Sequence, residues 1–264
     1  MRVATAMLPD ASSSQDRIFT TENAVIVLDG ASAFVPVEVS PSTFVDTLGG
    51  YLVGGLAADP RIPLADLLAQ AIRSTASVLD LRPGASPSST VAIAREDSDG
   101  LDLLVLGDSQ IVTPHGIYID DRIARVAQAE RSAYHARLAE GRGYDADHRE
   151  LLRSLQLEQS RYRNSDGGYW IAEADPEAAH HAVTQRQELE TAPWLVMATD
   201  GAYRPMQHLG VEWRNVAAKS STELTQLLAD LEKWEKCHDL NGLALPRAKR
   251  HDDKAIACAC AGVN

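Results

Sequence analysis

The segment Ala24–Gly30, which reads AVIVLDG, is the stretch of this chain that says most about its fold. Its five apolar residues, three of them β-branched, predict a strand, and the Asp-Gly pair that follows is typical of a turn. Two later runs have the same form, Leu103–Leu106 before Gly-Asp-Ser and Trp194–Ala198 before Thr-Asp-Gly. The sequence therefore predicts three strands that each carry a carboxylate at the carboxyl end. These residues are Asp29, Asp108 and Asp200.

Two further acidic positions precede predicted strands. Asp16 stands before one strand-forming run, and the pair Asp252-Asp253 stands before another, Ala255–Ala259. The start of one antiparallel strand lies beside the end of its neighbour, so these carboxylates are expected at the same rim as the first three. A hairpin turn formed by residues 21–24 would place Asp16 directly opposite Asp29.

A second predicted hairpin, Thr90–Arg95 with Leu101–Leu106, would bring Ser88 and Ser89 beside Asp108. Carboxylates this close repel each other unless one is protonated or a cation lies between them. With oxygen ligands alone, Mg²⁺ or Mn²⁺ is the expected cation. For any one aspartate the alternative is ordinary turn chemistry, because Asp-Gly is among the commonest turn dipeptides.

Six short motifs occur in a fixed order along almost the whole chain. They are Gln15-Asp16-Arg17, Leu28-Asp29-Gly30-Ala31-Ser32, Ser88-Ser89-Thr90-Val91-Ala92, Gly107-Asp108-Ser109-Gln110, Thr199-Asp200-Gly201 and Asp252-Asp253-Lys254-Ala255-Ile256. Together they resemble the motifs of the PP2C (PPM) family of metal-dependent protein serine/threonine phosphatases. Each motif is weak alone, and their order carries the resemblance.

The resemblance implies an α+β fold, a PP2C-like four-layer α-β-β-α sandwich of two antiparallel sheets flanked by helices, in one domain spanning residues 1–264. It also implies hydrolysis of phosphoserine and phosphothreonine on proteins by a hydroxide that bridges two metal ions. The implied cofactors are two, or three, Mn²⁺ or Mg²⁺ ions.

The same resemblance implies roles for individual residues. Asp29 would bridge the two metals and, with Asp200, would be central to catalysis. The metal ligands would be Asp29, Gly30 through its carbonyl, Asp200, Asp252 and, for a third and weaker ion, Asp108. Supporting residues around them would be Gln15, Asp16, Ser109 and Asp253. Asp253 remains the alternative to Asp252 as the ligand from the last motif.

Several positions depart from the family pattern. The arginine that many relatives use to hold the substrate phosphate would fall at Ala11, and Gln110 stands where an arginine is usual. An arginine from the basic stretch Asp120–Tyr162 is one candidate to replace it, although a solvated helix face is the simpler interpretation. Two alternative functions follow. The chain could be an inactive, phosphoprotein-binding pseudophosphatase with Lys254 weakening the site, or a phosphatase of small phosphomonoesters.

The net charge of −12 disfavours nucleic acid and anionic membranes as partners, because both select basic surfaces. A phosphoprotein substrate is expected instead, and a Ser/Thr kinase is one candidate. The first residues lack the apolar length of a signal peptide and no run approaches a membrane span, so a cytoplasmic location is expected.

Helices are predicted between the motifs from apolar residues at three- and four-residue spacing. They cover Ser42–Gly55, Pro63–Leu79 and Ser221–Lys236. Two more are predicted inside Asp120–Tyr162, because this stretch is charged, has few β-branched residues and is broken at Gly141-Arg142-Gly143. By the family resemblance, Trp170-Ile171 together with the segment Ala178–Gln187 are expected to form a mobile flap beside the site.

Overall fold

The computed structural model describes residues 1–31, 37–98 and 100–260. Ser32, which ends the second motif, lies outside these ranges. The strands are β1 (Arg2–Leu8), β2 (Asp16–Thr20), β3 (Ala24–Gly30), β4 (Ser89–Glu96), β5 (Leu101–Leu106), β6 (Gln110–Thr113), β7 (Gly116–Ile119), β8 (Val183–Gln187), β9 (Trp194–Ala198) and β10 (Lys254–Cys260). In this part of the chain they form two antiparallel five-stranded sheets, in the orders β1-β10-β9-β6-β7 and β2-β3-β4-β5-β8.

Helices α1 (Pro41–Ala58) and α2 (Leu64–Val78) cover the outer face of the sheet that contains β3, and α5 (Asp200–His208), α6 (Trp213–Ala217) and α7 (Ser221–His238) cover that of the sheet that contains β10. Helices α3 (Gln128–Ala139) and α4 (Ala146–Ser160) pack against each other in a separate cluster. Short 3₁₀ turns occur at Arg122–Arg125 and Pro176–His181.

Four layers follow from the alternation of side chains along the strands. In β3, Ala24, Ile26 and Leu28 face α1 and α2, whereas Val25 and Val27 face the other sheet. Strand β10 divides its side chains in the same way, between helices α5–α7 on one side and the opposite sheet on the other. A run that is apolar on both faces is therefore buried between a helical layer and a second sheet. The expected helix–sheet–sheet–helix sandwich is confirmed.

The register of the first hairpin is the predicted one. Asp16 pairs with Asp29 and Ile18 with Val27 across β2 and β3. The second hairpin differs from its predicted register by one residue. A turn over residues 96–100 would pair Arg95 with Leu101, whereas Glu96 pairs with Leu101 and Val91 with Leu106 across β4 and β5. The tight first connection fixes the register of β2 and β3, and their buried faces would not tolerate a one-residue slip.

Local sequence sets the helix ends. The Ser40 hydroxyl accepts a hydrogen bond from the Thr43 amide at 3.0 Å and caps α1, which begins one residue before the predicted start. A capping box between Ser220 and Glu223 begins α7. The predicted break between α3 and α4 lies at Gly141, whose φ of +76° is a left-handed conformation suited to glycine.

The flap prediction for Ala178–Gln187 is wrong in its second half. Residues Val183–Gln187 form β8, an edge strand whose backbone pairs with β5, and the preceding residues complete a 3₁₀ turn against the sheet. Pairing with a buried strand fixes this segment in the sandwich.

Within the described ranges, no helix is long and apolar enough to cross a bilayer.

Candidate active site

The two carboxylates of the first hairpin lie at one end of the sandwich. Asp16 begins β2 and Asp29 lies near the end of β3, so their direct pairing places both side chains on the same face. Asp16 is buried and accepts a hydrogen bond of 2.8 Å from the Thr199 hydroxyl. Thr199 precedes α5 in the other sheet's half of the molecule, so this bond links the two halves at the site.

A cavity of about 200 Å³ opens at this end of the sandwich. Four of the five acidic positions singled out in the sequence line it: Asp29, Asp108, Asp200 and Asp252. They come from different elements, namely the end of β3, the loop after β5, the first turn of α5 and the loop before β10. The structure therefore brings together carboxylates that lie up to 223 positions apart, from Asp29 to Asp252.

The charges of these carboxylates oppose one another. Burial raises the pKa of Asp16 well above its usual range, and it does the same for Asp29, where the neighbouring carboxylates Asp16, Asp200 and Asp252 add to the effect. Burial also raises the pKa of Asp200 to about 6, although Arg204 lowers it in part. Such mutual repulsion is the electrostatic condition under which a cation is bound strongly.

The two acidic residues of the last motif have different environments. Asp252 lines the cavity, whereas the Asp253 carboxylate accepts a 2.6 Å hydrogen bond from the amide of Gln15. The Gln15 carbonyl in turn accepts a bond of 3.2 Å from the Gly30 amide. Asp253 thus fixes the loop before β2 against the end of β3, and Asp252 is the one that faces the cavity.

Two glycines permit close approach of the backbone at the site. A Cβ on Gly30 would lie 2.6 Å from the Gln15 carbonyl oxygen, and a Cβ on Gly201 would overlap the Asp253 carbonyl oxygen. Only hydrogen fits at either position, so the Asp-Gly pairs are required by packing as well as by the turn.

Ser109 lies behind the cavity and does not line it. Its side chain is buried and lies 2.6 Å from the Thr90 hydroxyl, and Thr90 contributes to the cavity wall. Ser88 and Ser89 are buried at the start of β4, and the Ser89 hydroxyl donates to the Thr90 carbonyl. The predicted serine and threonine cluster is therefore near the rim, with Thr90 as the member that reaches it.

Basic side chains also reach the cavity, and the sequence analysis missed most of them. Arg204 pairs with Asp108 at 3.2 Å and with Asp200 at 3.3 Å, and Lys249 pairs with Asp252 at 2.6 Å. Arg131 is a cavity-lining member of the predicted basic stretch, and Arg247 lines the cavity as well. The one available signal for Arg204 was its position four residues after Asp200, which is ordinary helix spacing.

Helices α3 and α4 form an apolar wall over the cavity. Tyr134, Leu152 and Leu155 pack together in a small cluster and line it. His148 in α4 hydrogen-bonds the Ala248 carbonyl at 2.8 Å, which fixes this wall against the segment that carries Lys249. The opening is therefore shaped by two helices that the sequence predicted but could not place.

The donor set suits a hard divalent cation, because it consists of carboxylate oxygens. Gly30, whose carbonyl was predicted as a ligand, lies between the lining residues Asp29 and Ala31 and does not itself line the cavity. Among the described residues, no three Asp, Glu, His or Cys side chains converge closely enough to hold a metal ion. Arg204 and Lys249 bond to three of the five carboxylates that line the cavity, of which Glu235 is the fifth. The carboxylate oxygens fit Mg²⁺ or Mn²⁺ by their chemistry, and basic side chains lie beside them.

Comparisons with known proteins give no match to a protein-family model and no match among curated proteins. Solved structures match over nearly the full length. The PPM Ser-Thr phosphatase MsPP from Mycobacterium smegmatis, solved with cacodylate, is 16% identical, with 99% of each chain covered and a TM-score of 0.56. The Ser/Thr phosphatase Stp1 from Staphylococcus aureus is 10% identical, covering 99% of this chain and 94% of that chain, with a TM-score of 0.58.

A third match is the photosystem II phosphatase PBCP, which is 13% identical over 99% of both chains with a TM-score of 0.58. The chain has the PP2C phosphatase fold. The shared feature is the α-β-β-α sandwich, with both chains covered almost from end to end. In this PP2C-like sandwich the acidic cavity lies where the loops before β2 and β10 meet the ends of β3 and β5.

Lys254 pairs with Glu235, a cavity-lining carboxylate of α7, and not with the four cavity aspartates. Its ammonium lies 3.1 Å from Glu235 in α7 and donates to the Asp252 carbonyl at 3.0 Å, and Lys254 and Glu235 are both 1% exposed. His251 also hydrogen-bonds Glu235, at 3.0 Å. The pair therefore attaches α7 to the loop that carries Asp252, and Lys254 is neutralised by Glu235.

Glu235→Gln is expected to destabilise the protein by about 3–5 kcal/mol, because it leaves the buried Lys254 ammonium without its counter-ion. The matched control is Glu232→Gln in the same helix. Glu232 pairs with Lys236 at 2.7 Å, but both side chains are at least 30% exposed, so the loss should stay below about 0.5 kcal/mol. Urea unfolding of both variants measures the difference. Equal losses in the free energy of unfolding would show that the buried ion pair stabilises the protein no more than the exposed one.

Proposed function

We propose that this protein is a metal-dependent phosphatase that hydrolyses phosphoserine and phosphothreonine on proteins. The observation that carries the proposal is the meeting of Asp29, Asp108, Asp200 and Asp252 around one cavity of a PP2C-like sandwich. No composition or charge argument leads to this function. The support is the combination of a fold shared with phosphatases and oxygen donors at one rim.

In this proposal, Asp29, the Gly30 carbonyl, Asp200 and Asp252 would hold two Mn²⁺ or Mg²⁺ ions. Bound there, the ions would activate the attacking water and neutralise charge on the phosphoryl group. Asp108 lies on the same rim.

Other residues of the chain position these ligands. Thr199 donates to Asp16 and holds it beneath Asp29, while Asp253 holds the amide of Gln15. These contacts fix the hairpin end and the loop before β10 relative to each other. A displacement of a ligand by about 1 Å can cost roughly 100-fold in rate, so such contacts matter to turnover.

The basic residues of the cavity supply attraction for a phosphate. Arg131 and Arg247 line it, and Lys249 lies between the wall helices and Asp252. Arginine binds phosphate oxygens through two parallel N–H groups, and lysine acts as a point charge. The guanidinium of Arg247 is already paired with the buried Asp239 carboxylate and donates to three backbone carbonyls. Arg131 and Lys249 therefore take the place of the arginine that is missing at Ala11. A phosphoprotein with a basic segment, such as a Ser/Thr kinase, would also suit the net charge of −12.

The shape of the cavity supports a second candidate, a phosphatase of small phosphomonoesters. Its volume of about 200 Å³ and the apolar wall of Tyr134, Leu152 and Leu155 suit a compact group. An extended phosphopeptide must instead reach the carboxylates past α3 and α4.

Phosphate release from a phosphothreonine peptide and from p-nitrophenyl phosphate separates these functions. With Mn²⁺, the wild-type protein is expected to show a kcat/KM at least 10-fold higher for the peptide, and EDTA should abolish both activities. A preference for the small ester would favour the second candidate. Absence of turnover by folded protein, together with retained binding of the peptide, would indicate a pseudophosphatase.

A further inference from the structure

Arg204 joins two carboxylates that belong to different sheets. Its Nη2 lies 3.2 Å from Oδ2 of Asp108, and its Nε lies 3.3 Å from Oδ2 of Asp200. Asp108 follows β5, whereas Asp200 follows β9 at the start of α5. The guanidinium therefore lies between the ends of strands from the two halves of the sandwich.

An ordinary helix-surface ion pair does not account for this arrangement. Arg204 and Asp200 are four residues apart on α5, a spacing that often gives a weak exposed pair. Asp108 is 96 positions away, and its contact with Arg204 depends on the packing of the two sheets. All three side chains are mostly enclosed, with exposed fractions of 35% for Arg204, 21% for Asp108 and 26% for Asp200.

Arg204 itself supplies the positive charge between Asp108 and Asp200. Two carboxylates on one enclosed rim need a cation between them, and a guanidinium with its rigid fork of donors can serve two carboxylates at once. Asp200 raises the pKa of Arg204 further above its ordinary value, so the positive charge is permanent. Each carboxylate retains further lone pairs, and Asp200 can accept the arginine while it binds another cation.

We propose that Arg204 is the built-in cation of this site and occupies the position between Asp108 and Asp200 that a third divalent ion would otherwise take. This inference rests on the proposed function, because it concerns the same centre. It assigns Asp108 to Arg204 and leaves two ions, not three, to the other ligands. Arg204 is thus a positioning residue, which fixes Asp108 and Asp200 without metal.

Counting bound Mn²⁺ tests this inference without using activity. Metal-free protein is titrated with Mn²⁺, and the free ion is measured by electron paramagnetic resonance. The variants are Arg204→Met, which keeps the side-chain length and removes the charge, and Arg204→Gln, which keeps donors and covers the case in which the first variant does not fold. Either is expected to bind one more Mn²⁺ per chain than the wild type.

Two controls locate the additional ion. Arg131→Met removes a charge from the same cavity, but Arg131 donates to the Ile123 carbonyl at 3.2 Å and is not paired with Asp108 or Asp200. It should bind the wild-type number of ions. Adding Asp108→Asn to Arg204→Met should return the count to the wild-type value, because the new ion needs the freed carboxylate.

The outcomes separate this inference from the proposed function. Two ions in the wild type and three in Arg204→Met support both. No ion in the wild type and at least one in the variant support the built-in cation and overturn the metal-dependent function. Equal counts of two overturn the inference and leave the proposed function in place. No binding by any of the proteins overturns both.

Discussion

Asp29→Asn is expected to reduce Mn²⁺-dependent phosphate release by at least about 1,000-fold while it stabilises the metal-free protein by about 1 kcal/mol. The activity is lost because Asp29 is the proposed bridging ligand and an amide carries no negative charge. The stability gain follows from the environment of Asp29 in the folded protein. Burial, followed by the charges of Asp16, Asp200 and Asp252, raises the pKa of its carboxyl well above the usual range.

The sign of the pH dependence follows from this shift. Because the folded pKa lies above the unfolded one, the folded state binds the proton more tightly, and stability falls as pH rises from the unfolded pKa through the folded one. At pH 4 the wild type and Asp29→Asn should therefore differ little. At pH 7.5 the variant should be more stable, and thermal unfolding of both metal-free proteins at the two pH values measures this.

Asp200→Asn is the matched comparison. It should lose activity to a similar extent, since Asp200 is also a proposed ligand. It should not gain the same stability, because its removal also breaks the ion pair with Arg204 at 3.3 Å. A destabilised Asp29→Asn protein at pH 7.5, or turnover near the wild-type level, would contradict the assigned role of Asp29.

Gly201→Ala is expected to cost about 1–3 kcal/mol of stability and roughly 100-fold in turnover. A Cβ at this position would overlap the Asp253 carbonyl oxygen and would also lie 3.0 Å from the Asp252 Cβ. The obstacle is backbone, which cannot rotate away, so α5 and the loop before β10 must separate. That movement would displace Asp200 from Asp252.

Gly54→Ala in α1 is the control for this substitution. Gly54 is an exposed helical position, and a Cβ there would meet nothing within 4 Å. Alanine should stabilise the helix by about 0.5–1 kcal/mol and leave turnover unchanged. Urea unfolding and phosphate release are measured for both variants. Wild-type activity in Gly201→Ala would show that the close contact is not needed for the site.

The parts of the site that could be predicted from the sequence depend on short-range rules. Asp16 lies opposite Asp29 because a tight hairpin fixes its own register, and the two apolar runs leave no room for a slip. The apolar run of β3 was likewise predicted as a strand, and its side chains are buried on both faces. Cap residues such as Ser40 and Ser220 fixed helix starts to within a residue.

The parts that could not be predicted depend on how distant elements pack. The sequence places Arg204 one helical turn after Asp200. Its contact with Asp108 exists only because the ends of the two sheets meet. Lys249 lies in the irregular segment between α7 and β10, where no helix or strand periodicity predicts which way a side chain points. The charged stretch Asp120–Tyr162 predicted two helices but not that Leu152 and Leu155 of α4 would cover the cavity.

The most direct test of the proposed function is phosphate release from a phosphothreonine peptide by the wild-type protein, with Mn²⁺ and with EDTA, beside Asp29→Asn. The proposed centre predicts turnover with Mn²⁺ that EDTA abolishes and that the variant lacks, although the variant is folded and at least as stable. Turnover that persists in EDTA or in Asp29→Asn would contradict a metal centre built on this carboxylate.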